Sequence, residues 1–393
     1  MNILMVNVPF SGHVNPTLIP AQKLVERGHR VSYILTNRWK DRIEEAGATF
    51  IPYRNAADYE IVFKNGKPRN FLHALKAWKY VYNTILEVGD KYDLLIYEFF
   101  SFTAFSAAQK RNLKTVRLFS TFAVSRENIG SILVSKNKEI NLLKNQFLLK
   151  AVTGLICGKI PLVTSNILTE ITDVAPDLNL VFTIKEFQED SPSFSDKFHF
   201  VGPLIGKRSN GLVIPFQEME KSIIYVSLGT LQNQNIGFYK NCMEAFGEKS
   251  GVSVIMSVGT NTDIAKLGTI PANFYVYPFV PQLEVLKHSA LFITHGGMNS
   301  VNEGLFYGNA LMVIPLDLDQ FAVADRVAKM GLGVMLEMDK VTPELLRTQA
   351  DCIWADAEIT ENVSTMRELL QFSDGANKAV DLIEQECKLT GKL

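Results

Sequence analysis

The sequence predicts an α/β protein made of two doubly wound domains, each containing a parallel sheet flanked by helices. Short apolar runs alternate with helical patterns through the first half of the chain, and this alternation restarts after residue 215. The chain has 393 residues, which exceeds the usual size of a single hydrophobic core. Ligands of doubly wound sheets bind at the carboxyl ends of the strands, so functional residues are expected there.

The first predicted domain, residues 1–205, opens with a buried strand, a turn and a helix. Asn15 is the candidate N-cap of this helix, Pro16 occupies its first position, and Gly28 ends it. The predicted elements are, in order, a strand at residues 3–8, a turn at 10–13, a helix at 15–27, strands at 31–35, 47–51 and 94–97, a helix at 101–111 and a strand at 114–119.

Residues 140–152 repeat apolar side chains at helical spacing and carry several nearby lysines. One interpretation is a helix that covers a substrate pocket with its apolar face. The other is a weak contact with a membrane surface, which basic and apolar side chains on one helix also favour. The sequence leaves both interpretations open.

The second predicted domain, residues 216–373, follows a linker at residues 206–215 and repeats the strand and helix alternation. A final helix is predicted at residues 374–388. The predicted elements of this domain are, in order, a strand at residues 222–226, a turn at 227–230, a helix at 235–248 and strands at 252–258, 274–277, 291–294 and 311–314.

Composition excludes several classes of protein. Apolar residues make up 47% and charged residues 21%, which is typical of a folded globular chain. The net charge of −1, without a basic block, argues against a nucleic-acid partner. The four cysteines form no CxxC or Cys/His pairing, so free thiols in a reducing compartment are expected. Neither a signal peptide nor an apolar stretch of roughly 18 residues is found, so a cytoplasmic protein without stable membrane insertion is expected.

The most informative stretch joins a buried strand that ends at Thr294 to a helix that begins near Asn299. Gly296 and Gly297 lie between them and let the backbone approach an oxyanion with no Cβ in the way. Backbone N–H groups and the positive end of the helix dipole then meet at one point, where a phosphate binds.

Side chains of the same stretch extend this predicted site. His295, Asn299 and Ser300 add hydrogen-bond donors beside the glycine pair. Glu303 follows one turn later, and a carboxylate, which only accepts hydrogen bonds, suits a ribose diol.

Together with Gly12-His13 near the N-terminus, this stretch resembles the signature of family 1 glycosyltransferases, the bacterial macrolide- and flavonoid-type enzymes related to plant and animal UDP-glycosyltransferases. The resemblance extends to about Gly333. It implies the GT-B fold, two Rossmann-like domains facing each other across a cleft, with the acceptor bound by residues 1–205 and the sugar nucleotide by residues 216–373. It also implies that residues 374–393 pack back on the first domain.

Carried over by position, the resemblance assigns a donor-binding role to several residues. Phe279 would stack on the base, Gln282 would lie beside the base and ribose, and Asp319 and Gln320 would hold the sugar hydroxyls. The turn at residues 227–230 would meet the phosphates from the other side. The complete predicted donor site comprises Ser227, Gly229, Thr230, Phe279, Val280, Gln282, His295, Gly297, Asn299, Ser300, Glu303, Asp319 and Gln320.

The resemblance places the general base at His13, and the chemistry agrees because imidazole titrates near neutrality. A carboxylate partner would orient the ring. The family normally supplies an Asp at the position of Glu98, and the extra methylene is expected to shift the carboxylate by over an ångström, on the order of one bond length. The predicted acceptor-binding residues are Phe10, Gly12, Phe119 and Thr121.

Asp317 and Asp319 formally make a DxD pattern, but direct sugar contact is expected here, with no metal and no other cofactor. The implied reaction is inverting transfer of a sugar, with glucose on UDP as the common case in similar enzymes, to a hydroxyl of a hydrophobic small molecule such as a natural product. Two alternatives are a nucleotide-sugar 2-epimerase and a non-catalytic nucleotide-sugar-binding protein.

Overall fold

A computed structural model of the chain describes residues 1–53, 63–64, 67–68, 71–133, 146–158, 160–188, 194–206, 211–230, 233–317 and 319–388. The chain forms two compact units, Met1–Gly206 with Ser373–Leu393, and Lys207–Phe372. Each unit contains a parallel sheet whose strands alternate with helices, so the predicted α/β class is confirmed.

The first unit is built on a seven-stranded sheet. The strands of this sheet are β1 (Asn2–Val6), β2 (Arg30–Leu35), β3 (Thr49–Pro52), β6 (Leu94–Glu98), β7 (Lys114–Phe119), β8 (Leu178–Val181) and β9 (Phe198–Phe200). Strands β4 (Phe63–Lys64) and β5 (Lys67–Pro68) form a separate antiparallel pair. The helices of this unit are α1 (Ser11–Glu26), α2 (Lys40–Glu45), α3 (Phe71–Val88), α4 (Thr103–Lys110), α5 (Ile129–Leu133), α6 (Gln146–Cys157) and α7 (Ile167–Thr172), with short 3-10 helices at Asn37–Trp39 and Gly89–Lys91.

The strand order of this sheet is β3-β2-β1-β6-β7-β8-β9, with all neighbours parallel. The order reverses direction between β1 and β6, where Val6 pairs with Tyr97. A ligand site of a doubly wound sheet forms at such a reversal because the loops leaving the two strands diverge there.

The second unit repeats this plan with six parallel strands. The strands are β10 (Ser222–Ser227), β11 (Val252–Ser257), β12 (Phe274–Tyr277), β13 (Leu291–Thr294), β14 (Ala310–Val313) and β15 (Gly333–Met335). The helices are α8 (Ile236–Phe246), α9 (Gln282–His288), α10 (Met298–Phe306), α11 (Asp319–Lys329), α12 (Pro343–Ala355) and α13 (Ala357–Phe372), with 3-10 helices at Phe216–Glu218, Ile264–Leu267 and Met338–Lys340.

The strand order of the second sheet is β12-β11-β10-β13-β14-β15. It reverses between β10 and β13, where Ser227 pairs with Thr294. The turns that follow these two residues therefore lie at the expected ligand-binding edge of the sheet.

Helix α1 begins at Ser11, four positions before the predicted start, and Asn15 is not its N-cap. The Phe10 carbonyl accepts hydrogen bonds from the backbone N–H groups of His13 and Val14, at 3.0 and 2.9 Å. Asn15 Oδ1 instead accepts a hydrogen bond from Arg42. The prediction was wrong because Pro16 lies inside the helix, although proline favours a first position.

The last helix, α14 (Gly375–Lys388), belongs to the first unit and packs on α1. Ala379, Val380 and Ile383 join the hydrophobic core of that unit. Arg27, just past the end of α1, forms ion pairs with Asp381 at 2.6 Å and with Glu384 at 3.0 Å. The helix therefore contributes apolar cover as well as charge pairing.

Other expectations meet the structure only in part. Of the helix predicted at residues 140–152, positions 140–145 lie outside the described residues, and α6 covers the remainder. Residues 207–210 of the predicted linker also lie outside them. Over the described ranges, no helix has the length and apolar character needed to cross a bilayer. All four cysteines are free thiols.

Candidate functional site

The reversal point of the first sheet brings His13 and Glu98 together. His13 lies in the first turn of α1, which follows β1, and Glu98 is the last residue of β6. His13 Nδ1 lies 2.9 Å from Glu98 Oε1, with the imidazole side chain 20% exposed and the carboxylate fully buried. The pair therefore combines a partly accessible ring with an enclosed carboxylate.

The side chain of Glu98, one methylene longer than the expected Asp, folds back so that its carboxylate contacts the backbone of its own chain. Glu98 Oε2 accepts a hydrogen bond of 2.9 Å from the backbone N–H of Phe100, two residues further on. This contact fixes one carboxylate oxygen and leaves Oε1 directed at His13. The carboxylate of Glu98 thus contacts both the imidazole and the backbone of its own chain.

Ser120 completes this group and was not predicted. It follows the last residue of β7, and its Oγ lies 2.8 Å from His13 Nδ1 and 2.9 Å from Glu98 Oε1. Its position one residue past the strand predicted at residues 114–119 is the sequence signal that points to it, whereas the neighbouring strand that carries Glu98 is known from the sheet order.

These three side chains determine which nitrogen of a neutral His13 carries the proton. The Ser120 hydroxyl donates to Glu98 Oε1, so its oxygen faces Nδ1 as an acceptor. Nδ1 then faces two oxygens and must be the protonated nitrogen. Nε2 is left with its lone pair, which is the form that a general base requires.

Aromatic rings surround the imidazole. The ring centroids of Phe10, Phe99 and Phe100 lie 6.0, 6.4 and 5.1 Å from that of His13. Phe10 is half-buried and Gly12 is exposed, so both can reach a ligand. Phe119 and Thr121 are buried, and Phe119 stacks on Phe99 with centroids 5.2 Å apart. These two predicted acceptor residues are therefore not exposed at the surface.

In the second unit, two turns lie side by side at the reversal point of the sheet. One follows Ser227, and the other contains Gly296, which has a φ of 85°, and Gly297. Gly297 is the N-cap of α10, and no side chain caps this helix end. The first backbone N–H groups of α10 thus lack a side-chain cap, as an anion site at a helix start requires.

His295 packs against the two predicted phosphate-binding turns. A Cβ atom at Gly229 would lie 2.6 Å from His295 Cε1, and one at Gly297 would lie 2.8 Å from Nε2. Burial lowers the pKa of His295 to about 4, so the ring is neutral at neutral pH. Its Nδ1 is buried without a hydrogen-bond partner among the described residues. A ligand oxygen would supply such a partner.

Gln282 forms a hydrogen bond with Glu303, the predicted ribose ligand. Gln282 Nε2 donates to Glu303 Oε2 at 2.7 Å and lies 3.5 Å from Ser300 Oγ. Glu303 is 3% exposed, so the protein encloses its carboxylate almost completely. Asn299 is half-buried in the same helical turn as Ser300.

The remaining predicted donor residues differ in exposure. Phe279 is 54% exposed, which leaves its ring free to stack on a base, whereas the adjacent Val280 is buried. Thr230 is exposed. Asp319 begins α11. Gln320 Oε1 accepts from the backbone N–H groups of residues 316 and 317, so only its amide nitrogen is left to meet a sugar hydroxyl.

No group of three His, Cys, Asp or Glu side chains within the described ranges is placed to hold a metal ion. Position 318, inside the formal DxD pattern, lies outside those ranges. Asp317 and Asp319 therefore do not belong to a cluster of three such side chains among the residues that are described.

Comparisons with known proteins show the family and the fold of the chain. The profile of the family described as UDP-glucoronosyl and UDP-glucosyl transferase matches residues 159–382. The chain is 36% identical over 392 residues to NDP-glycosyltransferase YjiC of Bacillus subtilis (98% of this chain, 96% of the relative). It is 26% identical over 405 residues to the oleandomycin glycosyltransferase of Streptomyces antibioticus (98% and 90%). The crystal structure of the calicheamicin glycosyltransferase CalG4 superposes with a TM-score of 0.79 at 27% identity, covering 98% of each chain.

Proposed function

The chain belongs to the UDP-glucoronosyl and UDP-glucosyl transferase family, and we propose that it is an inverting enzyme that transfers glucose from UDP-glucose to a hydroxyl of a hydrophobic small molecule. The observation that carries this proposal is the His13, Glu98 and Ser120 group. These side chains leave a basic nitrogen on a partly exposed ring. The GT-B fold of the solved glycosyltransferases agrees with it.

In the proposed reaction, His13 Nε2 removes the proton from the acceptor hydroxyl as its oxygen attacks the anomeric carbon. Glu98 stabilises the imidazolium that forms. Ser120 contacts both the carboxylate and the ring and so fixes their relative orientation. The bond between the anomeric carbon and the diphosphate oxygen breaks on the opposite face. An α-linked donor therefore gives a β-glycoside.

The departing diphosphate would be stabilised in the second unit. Uncapped backbone N–H groups at the start of α10 would donate to its oxygens, which is the arrangement that stabilises developing negative charge. The neutral His295 would add one N–H donor. With charge met by these groups, we propose that no metal ion or other cofactor takes part.

The acceptor would meet the surface around His13 that Phe10 and Phe100 form. Aromatic rings favour a flat or apolar molecule. One relative is named oleandomycin glycosyltransferase, and we propose a natural product as the acceptor of this chain as well. Four free thiols fit a reducing compartment such as the cytoplasm.

The direct test is to incubate the protein with UDP-glucose and a mixture of hydrophobic phenols and to search for glucosides by mass spectrometry. A new product heavier by one glucosyl group, with release of UDP, is expected. Chelating divalent cations should leave the rate unchanged. Donor that is converted to another sugar without any acceptor would indicate an isomerase. Donor that binds without transfer or hydrolysis would indicate a binding protein.

A further inference from the structure

We propose that Trp78 is a positioning residue for the His13 and Glu98 pair, on which it acts through the turn between β6 and α4, residues 99–102. This inference rests on the proposed function, since it concerns how the base is oriented. Trp78 lies within α3 and is half-buried. No role follows for it from the sequence, and its contacts with the turn are the observations that carry the inference.

Trp78 contacts the turn and the start of α4 at three points. Its indole Nε1 donates a hydrogen bond of 2.5 Å to the carbonyl oxygen of Phe100. Its backbone carbonyl accepts a hydrogen bond of 2.8 Å from the hydroxyl of Thr103, the first residue of α4. Its ring lies against that of Phe102, with centroids 5.1 Å apart. Polar and aromatic contacts from one residue of α3 therefore hold the turn.

A series of three hydrogen bonds connects Trp78 to the imidazole of His13. An indole N–H can only donate and a carbonyl oxygen can only accept, so the bond from Trp78 to Phe100 has one possible direction. The backbone N–H of Phe100 donates to Glu98 Oε2 at 2.9 Å. Glu98 Oε1 lies 2.9 Å from His13 Nδ1. None of these three contacts depends on the rotation of a hydroxyl group.

The carboxylate of Glu98 is the point at which a shift of the turn would reach the base. Its Oε2 is held by Phe100, while Oε1 is contacted by His13 and Ser120. A displaced turn would loosen the contact at Oε2 and let the carboxylate rotate relative to His13 Nδ1. Small displacements of a catalytic group reduce the rate strongly, so Trp78 should influence kcat more than nucleotide binding.

The test is Trp78→Phe, which removes the indole N–H and keeps an aromatic ring beside Phe102. Rates are measured on the full chain with UDP-glucose and a phenol that the wild-type protein glucosylates. We expect kcat to fall about fivefold, the usual effect of one lost hydrogen bond. The KM for UDP-glucose should stay within about twofold of wild type, because no predicted donor residue is changed.

The same substitution in the Glu98→Ala background separates a positioning role from a purely structural one. If Trp78 acts through the Glu98 carboxylate, removing that carboxylate also removes the effect of the indole. Trp78→Phe should then lower kcat by less than about twofold in this background. Equal losses in the two backgrounds would show that Trp78 only supports the fold or the acceptor surface, and would overturn the inference. An unchanged kcat in Trp78→Phe alone would overturn it as well.

Trp39→Phe is the matched control. Trp39 is buried in the same unit, and its indole Nε1 has no hydrogen-bond partner among the described residues. The substitution therefore removes the same atoms without breaking a hydrogen bond, and kcat should stay close to that of the wild type. An equal fall of kcat in both tryptophan variants would indicate lost packing and contradict the inference. A wild-type protein that glucosylates no phenol would instead overturn the proposed function itself.

Discussion

His13 and Glu98 form a 2.9 Å hydrogen bond between Nδ1 and Oε1, even though Glu98 is one methylene longer than the aspartate expected at its position. The extra length is taken up by the contact between Glu98 Oε2 and the Phe100 backbone. The carboxylate of Glu98 therefore lies where it could orient the His13 ring, which is the role that the proposed mechanism gives it.

Replacing His13 by Ala should lower kcat by about 10²–10⁴-fold, the usual contribution of a general base. Binding of UDP should remain within about twofold of wild type, since the predicted phosphate and ribose contacts lie on other residues. Product formation and calorimetric titration of UDP measure the two quantities. His288→Ala, which removes an exposed histidine of α9, serves as the control. Undiminished turnover in His13→Ala would contradict the assignment of the base.

Glu98→Ala should reduce kcat less than His13→Ala does, because it removes the group that orients the base and leaves the base itself. Glu98→Asp should also lose activity, by about tenfold, because the shorter side chain cannot keep both the Phe100 and His13 contacts. Steady-state rates at saturating donor and acceptor measure both variants. A loss in Glu98→Ala equal to that in His13→Ala would argue against an orienting role.

Ser120→Ala should lower kcat by about three- to tenfold, since it removes a hydroxyl that contacts both the base and its carboxylate. Ser101→Ala is a close control. Ser101 is also buried just beyond β6, but its hydroxyl has no hydrogen-bond partner among the described residues. If the two variants have the same rate, Ser120 does not position the base.

Gly229→Ala should weaken UDP binding by about tenfold or more, corresponding to at least ~1.4 kcal/mol. The new Cβ would press on the His295 ring from 2.6 Å, in a backbone with φ of 76°. Gly251→Ala separates the two effects, because Gly251 has a similar φ of 74° but open space around a Cβ. Both variants should lose some stability in urea, and only Gly229→Ala should lose UDP affinity. Normal UDP binding by Gly229→Ala would show that this turn does not form the phosphate site.

Stability should depend on pH through His295. Its pKa falls from the ordinary 6.5 to about 4 in the folded protein, so the unfolded chain takes up a proton first as the pH is lowered. The contribution of His295 is complete above pH 6.5 and is lost progressively as the pH falls toward 4. Urea unfolding at several pH values should show this slope in wild type and a shallower slope in His295→Gln. Parallel slopes would argue against a buried, neutral ring.

The sequence predicted the strands well where apolar runs are bounded by clear turns. The predicted strand at residues 114–119 matches β7, and those at 274–277 and 291–294 match β12 and β13. The start of α1 was wrong because Pro16 indicates a first helical position, and only the Phe10 carbonyl bonds show that the helix begins earlier.

The sequence missed Ser120 for a physical reason. Ser120 depends on which strand lies beside β6, a fact of sheet order that no local pattern carries. The structure was therefore needed to find the hydrogen bonds from Ser120 to His13 and Glu98, which are distant from it in the chain.

Because α14 returns to the first unit, residues 207–372 form one uninterrupted stretch inserted into the other unit. A protein engineer could therefore exchange that stretch for the equivalent piece of a relative with two splice points, while the α1 and α14 interface stays native. The first unit cannot be isolated by a single cut after residue 206. Such a fragment would lose Ala379, Val380 and Ile383 from its hydrophobic core and would be prone to aggregate.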